Sequence, residues 1–187
     1  MQLSKFSYYA DFVIYPIVCI GWAAASLRGL TWVGVAEWFC TLAAGMLLWS
    51  LLEYVLHRIV LHGTTRFAPL HAMHHSSPLA LIGTPTWISM LVLGGVIGIP
   101  VWRCCGYSIA SALTDGVMLG YWWYGIVHHV IHHGAHRRST AYFGELRAWH
   151  MRHHYSPKSG NFGVTTGLWD YVFGTAICAR SKSIIST

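Results

Sequence analysis

Four long runs of apolar residues occur along the chain, with short polar segments between them. A helix needs about 20 mainly apolar residues to cross a bilayer, so each run predicts a membrane-spanning helix. The predicted spans cover about residues 11–28, 32–56, 80–102 and 106–128. Only a few residues separate the first span from the second and the third from the fourth, so the spans pair into two helical hairpins.

The basic residues are distributed unevenly about these hairpins. Arg28 and Arg103 lie at the two short turns, whereas the other ten of the 12 Lys and Arg residues lie on the opposite side. The positive-inside rule places that opposite side in the cytoplasm, in a bacterial inner membrane or in the endoplasmic reticulum. The segments of about 57–79 and 129–187 then form a cytoplasmic cap, and residues 1–187 form a single membrane domain.

The composition agrees with a membrane protein. Hydrophobic residues make up 55% of the chain and charged residues only 10%, against about 25% charged residues in ordinary soluble domains. This shortage of charge also excludes a disordered chain. The net charge of +6 follows from the orientation in the membrane, so we expect no nucleic-acid partner.

Histidine is the unusual residue of this sequence. All 13 histidines fall on the predicted cytoplasmic side, in four clusters. On a helix, residues three and four apart share a face, so each of the two H-x-x-H-H motifs predicts a stripe of three imidazoles. His57 and His62 are five residues apart, about 140° around an ideal helix, and converge only if the helix frays or turns there. The clusters are His57 and His62; His71, His74 and His75; His128, His129, His132, His133 and His136; and His150, His153 and His154.

Imidazoles gathered in such numbers indicate metal binding. Imidazole suits iron, zinc, copper and nickel, and one zinc site typically uses about four ligands, so this many histidines imply two metal ions. The H-E-x-x-H motif of zinc proteases is absent, because Ala72 follows His71 and Arg58 follows His57. The predicted fold is therefore an all-α integral membrane protein with four transmembrane helices in two hairpins and a cytoplasmic, histidine-rich helical cap that holds a dimetal centre.

The histidine spacing and its flanking residues resemble the fatty acid hydroxylase / sterol desaturase superfamily. The segment Glu53–Arg58 resembles the E-Y-x-x-H-R motif of the fatty acid 2-hydroxylases, and His74–Pro78 resembles their H-H-x-x-P motif. Leu119–Tyr121 and Asn161–Thr175 resemble two later signatures of that group. The resemblance extends over about residues 51–175, most of the chain.

The resemblance implies which histidines bind metal. Among the histidines of the third cluster, His128 and His132 are preferred to His129 and His133 because the family pattern H-x-x-x-H-x-G ends at Gly134. The implied ligands are His57, His62, His71, His74, His75, His128, His132, His150, His153 and His154. The candidates for supporting these ligands from outside the metal centre, by holding them in position, are Glu53, His129, His133, His136 and Asp170. Glu53 lies four residues before His57, so we expect it to accept a hydrogen bond from that histidine.

The resemblance also implies a reaction. The expected protein is a di-iron oxygenase that uses O2 and external electrons to hydroxylate a C–H bond of a fatty-acyl chain, with C2 among the candidate positions. Zinc could replace the two iron ions in a purified sample, since iron is the weaker binder in the divalent series. We expect no fused cytochrome b5 domain, and therefore a separate electron donor that is cytochrome b5-like or ferredoxin-like.

Three alternatives remain open at this point. A carotenoid ring hydroxylase would have a similar size and topology, but such enzymes typically show an H-D-G-L-V-H-like cluster where this chain has His128-His-Val-Ile-His132. A sterol or lipid desaturase would use the same dimetal centre. A metal transporter or sensor is a more distant alternative, because transporters place their ligands near the middle of the membrane.

Overall fold

The computed structural model describes residues 1–134 and 140–178, and their regular structure is helical apart from one isolated bridge between Gln2 and Ile82. The all-α prediction is confirmed for these residues. In chain order the elements are α1 (Lys5–Ser26), α2 (Trp32–Val55), a first π-helical turn (Leu56–Leu61), α3 (Ala68–Ser76), α4 (Thr86–Leu93), a second π-helical turn (Gly94–Gly98), α5 (Ile99–Cys105), α6 (Tyr107–His133), α7 (Ala141–Tyr155) and α8 (Leu168–Val172).

Turn and cap residues account for the two hairpins. Ser4 and Thr31 are the N-cap residues of α1 and α2. Each hydroxyl accepts a hydrogen bond from the backbone N–H three residues later, as is typical of an N-cap. Gly29 and Gly106 lie in the short turns with φ of 75° and 83°, a region that glycine enters without a steric penalty. The third apolar helix begins at Thr86 rather than near residue 80, because Pro85 has no backbone N–H to donate.

Within residues 1–134 and 140–178, three helical segments are long and apolar enough to cross a membrane: Lys5–Ser26, Trp32–Leu61 and Thr86–Cys105. They contain most of the first three predicted spans, so the structure supports a helical membrane protein. The fourth predicted span lies in α6, which is the longest helix at 27 residues but is not one of these apolar segments. Asp115 and the four histidines near its end make α6 more polar than the other three.

Helix α6 is the central element of the packing. It lies against α1, α2, α4 and α5, and residues along most of its length are buried, including Ala112, Val117 and Val127 at 0% exposure. Because α6 ends in His128 and His132, its packing determines where these imidazoles lie. The apolar core therefore positions the polar end of the bundle.

Three glycines allow α2 and α6 to approach closely. A Cβ atom added at Gly116 would lie 2.1 Å from the carbonyl oxygen of Leu42, and one at Gly45 would lie 2.4 Å from the carbonyl oxygen of Leu113. A Cβ atom at Gly120 would lie 2.5 Å from the Cβ of Trp49. Backbone atoms cannot move aside as a flexible side chain can, so the contact at Gly116 requires glycine.

We therefore expect Gly116→Ala to destabilise the fold by about 1–3 kcal/mol, the usual effect of overpacking a core. Gly21→Ala is the matched control, because a Cβ atom at Gly21 meets nothing within 4 Å. Thermal unfolding of the detergent-solubilised variants measures the difference. Equal melting temperatures for the two variants would contradict this account of the α2–α6 contact.

Candidate metal centre

Ten of the 13 histidines converge in two adjoining groups. For nine of these histidines, the potential ligand nitrogens within each group lie within 4.8 Å of one another. His154 is assigned to the second group because its Nε2 lies 3.1 Å from the Nε2 of His150. The first group contains His57, His62, His71, His75 and His153, and the second contains His74, His128, His132, His150 and His154. These are the ten histidines that the resemblance implied as ligands.

A π-helical turn brings His57 and His62 together. The backbone N–H of His62 donates to the carbonyl of His57, the i to i+5 hydrogen bond that defines this turn. The wider turn brings residues five apart into line, and the two rings lie 5.2 Å apart. From the sequence, His57 and His62 converge only if the helix departs from α-helical geometry between them. The π-helical turn is that departure.

Helices α3 and α7 each contribute to both groups. On α3, His71 and His75 enter the first group and His74 enters the second. On α7, His153 enters the first group, whereas His150 and His154 enter the second. The two predicted stripes therefore lie along the boundary between the groups, and neither stripe forms a site by itself.

The histidines of α6 divide by helix face. His128 and His132 enter the second group, as preferred from the sequence. His129 faces α1 instead, where its Nδ1 lies 3.2 Å from the Tyr8 hydroxyl and His133 stacks on its ring. His136 lies outside the described residues.

Backbone carbonyls determine the tautomer of two imidazoles. Nδ1 of His57 lies 2.5 Å from the carbonyl oxygen of Phe162, and Nδ1 of His153 lies 2.8 Å from the carbonyl oxygen of Gly160. A carbonyl oxygen only accepts hydrogen bonds, so each Nδ1 carries the proton and each Nε2 carries a lone pair. Both lone pairs point into the first group, as is typical of histidines that bind metal.

The spacing of the Nε2 atoms fits a metal ion. Neighbouring Nε2 atoms of the first group lie 2.9–3.1 Å apart, from His57 to His71 and onward through His62, His75 and His153. Two nitrogens at about 2.1 Å from one ion and about 90° apart lie about 3.0 Å from each other. Two lone pairs this close repel unless a proton or a metal cation lies between them, and the spacing and the donor set fit a bound metal.

The environment keeps five of these imidazoles neutral. Burial, with a smaller effect from neighbouring imidazoles, lowers the pKa of His71 and His154 to about 2, that of His153 to about 3, and those of His74 and His75 to about 4. The lowered pKa values leave these rings unprotonated at neutral pH. Neutral imidazole is the form that binds metal.

Two buried carboxylates hold the loop that supplies those carbonyls. Asp170 accepts hydrogen bonds from the backbone N–H groups of Phe162 and Gly163, both at 2.8 Å. Glu53 accepts from the N–H groups of Val164 and Thr165 at 2.5 and 2.9 Å, and from the Thr165 hydroxyl at 2.6 Å. Four consecutive N–H groups are therefore bound by two side chains.

The expected direct contact between Glu53 and His57 is wrong, because Phe162 and His71 occupy the two ring nitrogens of His57. Glu53 acts on His57 through the loop instead. Asp170, another of the candidates for supporting the ligands, acts through the same loop.

Sequence reasoning assigned no role to Asn161. This residue is fully buried and has φ of 54°, and its Oδ1 accepts from the N–H of Ile177 at 2.6 Å. Its Nδ2 donates to the carbonyl of Trp149 on α7, so it ties the loop to the helix that bears His150 and His153. Asn161 begins the segment Asn161–Thr175, which resembles a family signature, and this position was the signal that could have indicated a structural role for it.

A cavity of about 220 Å³ adjoins both histidine groups. His71 of the first group and His74 and His128 of the second are among its lining residues. Apolar side chains from several elements line much of the rest, among them Phe12, Leu61, Phe67, Leu70 and Ile82. The arrangement allows an apolar molecule to lie next to two candidate metal positions.

Comparison with known proteins agrees with this geometry. A family model for fatty acid hydroxylases matches residues 42–175. A dihydroceramide fatty acyl 2-hydroxylase of Arabidopsis thaliana is 33% identical over 174 residues, covering 86% of this chain and 69% of that protein. A ceramide very long chain fatty acid hydroxylase of Schizosaccharomyces pombe is 33% identical over 155 residues, covering 70% of this chain and 40% of that protein.

One solved structure has the same fold. The structure of full-length scs7p, in which only the hydroxylase domain is visible, matches with a TM-score of 0.79 at 24% sequence identity. The match covers 94% of this chain and 68% of that chain. The likeness shows that the arrangement of helices is shared.

The two histidine groups predict about two metal ions per chain. We expect His153→Ala to lower the metal content by about half or more, because His153 belongs to the first group and neighbours both His75 and His62. His129→Ala, which removes an imidazole that faces α1, should leave the metal content unchanged. Elemental analysis of the purified variants decides between these results, and an equal loss in both variants would contradict the assignment to two groups.

The loop predicts a second effect on metal binding. Glu53→Gln keeps the size of the side chain but replaces one acceptor oxygen by an amide donor, so at least one N–H group of Val164 or Thr165 loses its partner. We expect the affinity for metal to fall by about 10–100-fold, the usual effect of removing groups that orient metal ligands. Competition with a chelator measures this affinity. Unchanged affinity in a folded Glu53→Gln protein would show that the loop does not orient His57.

Proposed function

The chain belongs to the fatty acid hydroxylase family, and on that premise we propose that it is a membrane-bound, O2-dependent oxygenase that hydroxylates a C–H bond of a fatty-acyl chain. One observation carries the proposal: two groups of five imidazoles lie beside a largely apolar cavity. The names of the relatives describe acyl 2-hydroxylation of dihydroceramide and hydroxylation of ceramide fatty acids. These names support an acyl chain, free or lipid-linked, as the substrate, with C2 as the candidate position.

The ten histidines of the two groups are assigned as ligands of two iron ions. The all-imidazole donor set, the Nε2 spacing and the lowered pKa values support this assignment, and zinc would fit the same ligands in a purified sample. Two iron ions held there would supply the reduction of O2 and the oxidation of the C–H bond, with two electrons and two protons from outside and water as the second product.

The residues of the chain position the substrate and the ligands. The apolar wall of the cavity orients the acyl chain and excludes water, and His71, His74 and His128 mark the end of the cavity where the reacting carbon lies. The carbonyls of Gly160 and Phe162 keep the protons of His153 and His57 on Nδ1. The metal-facing lone pairs of these two rings are therefore retained through the reaction.

The proposed arrangement in the membrane has four spans, with α6 as the fourth. The apolar segments, the two short turns and the ten Lys and Arg residues on the side opposite those turns support it. The histidine groups then belong to a cap on the cytoplasmic face, in a bacterial inner membrane or in the endoplasmic reticulum. Residues 1–187 form one membrane domain in this proposal.

The electrons come from a separate cytochrome b5-like or ferredoxin-like protein in this proposal. The basic side of the chain supports an acidic partner, since complementary charge speeds association. Arg58, Arg66 and Lys158 belong to that basic side, whereas Arg137 and Arg138 lie outside the described residues. A rate of reduction that does not change with salt concentration would contradict this mode of docking.

Lipid mass spectrometry of cells that express the chain under 18O2 tests the proposed function. We expect an acyl lipid that gains one labelled oxygen atom, and no such product from the His153→Ala/His154→Ala variant. Cys40→Ala, at an exposed position of α2, is the control for expression. Loss of two hydrogens without oxygen would instead establish a desaturase, and a labelled carotenoid would establish a ring hydroxylase.

A further inference from the structure

The short helix α8 has an apolar outer face and a polar inner face. On the outer face, Leu168, Tyr171 and Val172 are 47%, 63% and 59% exposed. On the inner face, Asp170 is fully buried and binds the backbone of the loop before α8. A helix of only five residues is marginal by itself in water, so the contacts on its two faces determine where α8 lies.

The outer face of α8 lies beside a helix that is long and apolar enough to span a membrane. Helix α8 packs against α2, where Nε1 of Trp169 donates to Oγ of Ser50 at 3.0 Å. The ring of Phe173 stacks on the ring of Tyr54 with the centroids 5.2 Å apart. Both contacts fall within the apolar segment Trp32–Leu61, so the exposed apolar residues of α8 extend the apolar surface of that segment.

The residues of α2 around this contact are typical of a membrane–water interface. Leu47 lies on the same helix face as Ser50 and is 57% exposed, as a side chain in contact with lipid would be. Arg58 follows Tyr54 by four residues, is exposed and donates to its hydroxyl at 2.7 Å. Arginine and aromatic side chains mark the headgroup level of a bilayer. Helix α8 contacts α2 between these two levels, which is the depth of an interfacial helix.

We propose that the outer face of α8 lies in the lipid bilayer beside α2, and that this contact holds the first histidine group in its metal-binding geometry. Asp170 provides the link, because it binds the N–H groups of Phe162 and Gly163. The carbonyl of Phe162 in turn accepts from Nδ1 of His57. A shift of α8 would therefore move the carbonyl that orients this imidazole. The inference rests on the proposed function for the assignment of the histidines to metal ions.

The link from α8 reaches the two histidine groups unequally. His57 and His153 receive hydrogen bonds from the loop carbonyls, and both belong to the first group. His128 and His132 of the second group lie on α6, whose position depends on its packing against α1 and α2. Loss of the lipid contact should therefore weaken the metal ion of the first group, whereas a general loss of structure would release both ions.

Photo-cross-linking of the full chain in nanodiscs of phosphatidylcholine and phosphatidylglycerol tests the lipid contact. A p-benzoylphenylalanine residue replaces Val172, and irradiation inserts its ketone into nearby C–H bonds. We expect intact-mass spectrometry to show an adduct with one phospholipid. The same residue in place of Lys158, at an exposed position of the polar segment 156–159, should give no phospholipid adduct. A cross-link from position 172 to a second copy of the chain, or within the chain, in place of lipid would contradict the proposal.

Zinc binding to the same nanodisc samples tests the link to the first group, because zinc fits the ligands and is redox-inert. Leu168→Gln/Val172→Gln replaces the apolar outer face by polar side chains. We expect one of the two zinc ions to bind about tenfold more weakly, within the range for groups that orient metal ligands, and the other to be unchanged. Leu168→Met/Val172→Ile, which keeps the face apolar, should retain both affinities. Competition with a chelator measures the affinities, and thermal unfolding confirms that each variant is folded.

Three results would overturn the inference: no phospholipid adduct at position 172, unchanged zinc affinities in folded Leu168→Gln/Val172→Gln protein, or an equal loss at both zinc sites. Absence of any oxidised lipid in the mass-spectrometric experiment would overturn the proposed function. Cross-linking and zinc affinity are measured without oxidation of a substrate, so the two failures are distinguishable.

Discussion

Binding of four consecutive backbone N–H groups by two buried carboxylates is the interaction on which the candidate site depends. A carboxylate removed from water is unfavourable unless hydrogen bonds compensate it, and the amides of residues 162–165 provide this compensation for Glu53 and Asp170. The loop is thereby held to α2 and α8 at once. Because the same loop directs the carbonyls of Gly160 and Phe162 at His153 and His57, the orientation of two imidazoles follows from the position of two acids that contact neither ring.

The helices around this loop divide the imidazoles between two groups. The π-helical turn aligns His57 with His62, and α3 and α7 each lie along the boundary between the groups and contribute to both. Displacement of either helix would therefore affect both candidate metal positions. This sharing explains how two adjoining groups can gather ten imidazoles, and it makes the relative placement of α2, α3, α6 and α7 the main structural requirement.

The apolar part of the molecule determines that placement. Helix α6 packs closely on α2 through Gly45, Gly116 and Gly120 and carries His128 and His132 at its end. Its contact with α1 forms the wall of the cavity, where Tyr121 binds Asp11. The close packing of the apolar helices and the chemistry of the polar end are thus parts of one arrangement, since a shift of α6 would move histidines and cavity together.

The sequence by itself determined the helical class, three apolar segments that can span a membrane, the family, and the histidines that converge. The helical class and the apolar segments follow from local periodicity, whereas the family and the ten histidines follow from the resemblance of short motifs to those of known hydroxylases. Only the tertiary structure decided how the histidines divide between the groups, that Glu53 binds the loop instead of His57, and that Asn161 ties the loop to α7. Glu53 and Val164 are 111 residues apart in the chain, and no periodic pattern connects residues at such separation. The pairing depends instead on where the packed helices place a buried carboxylate and on which N–H groups lie within its reach.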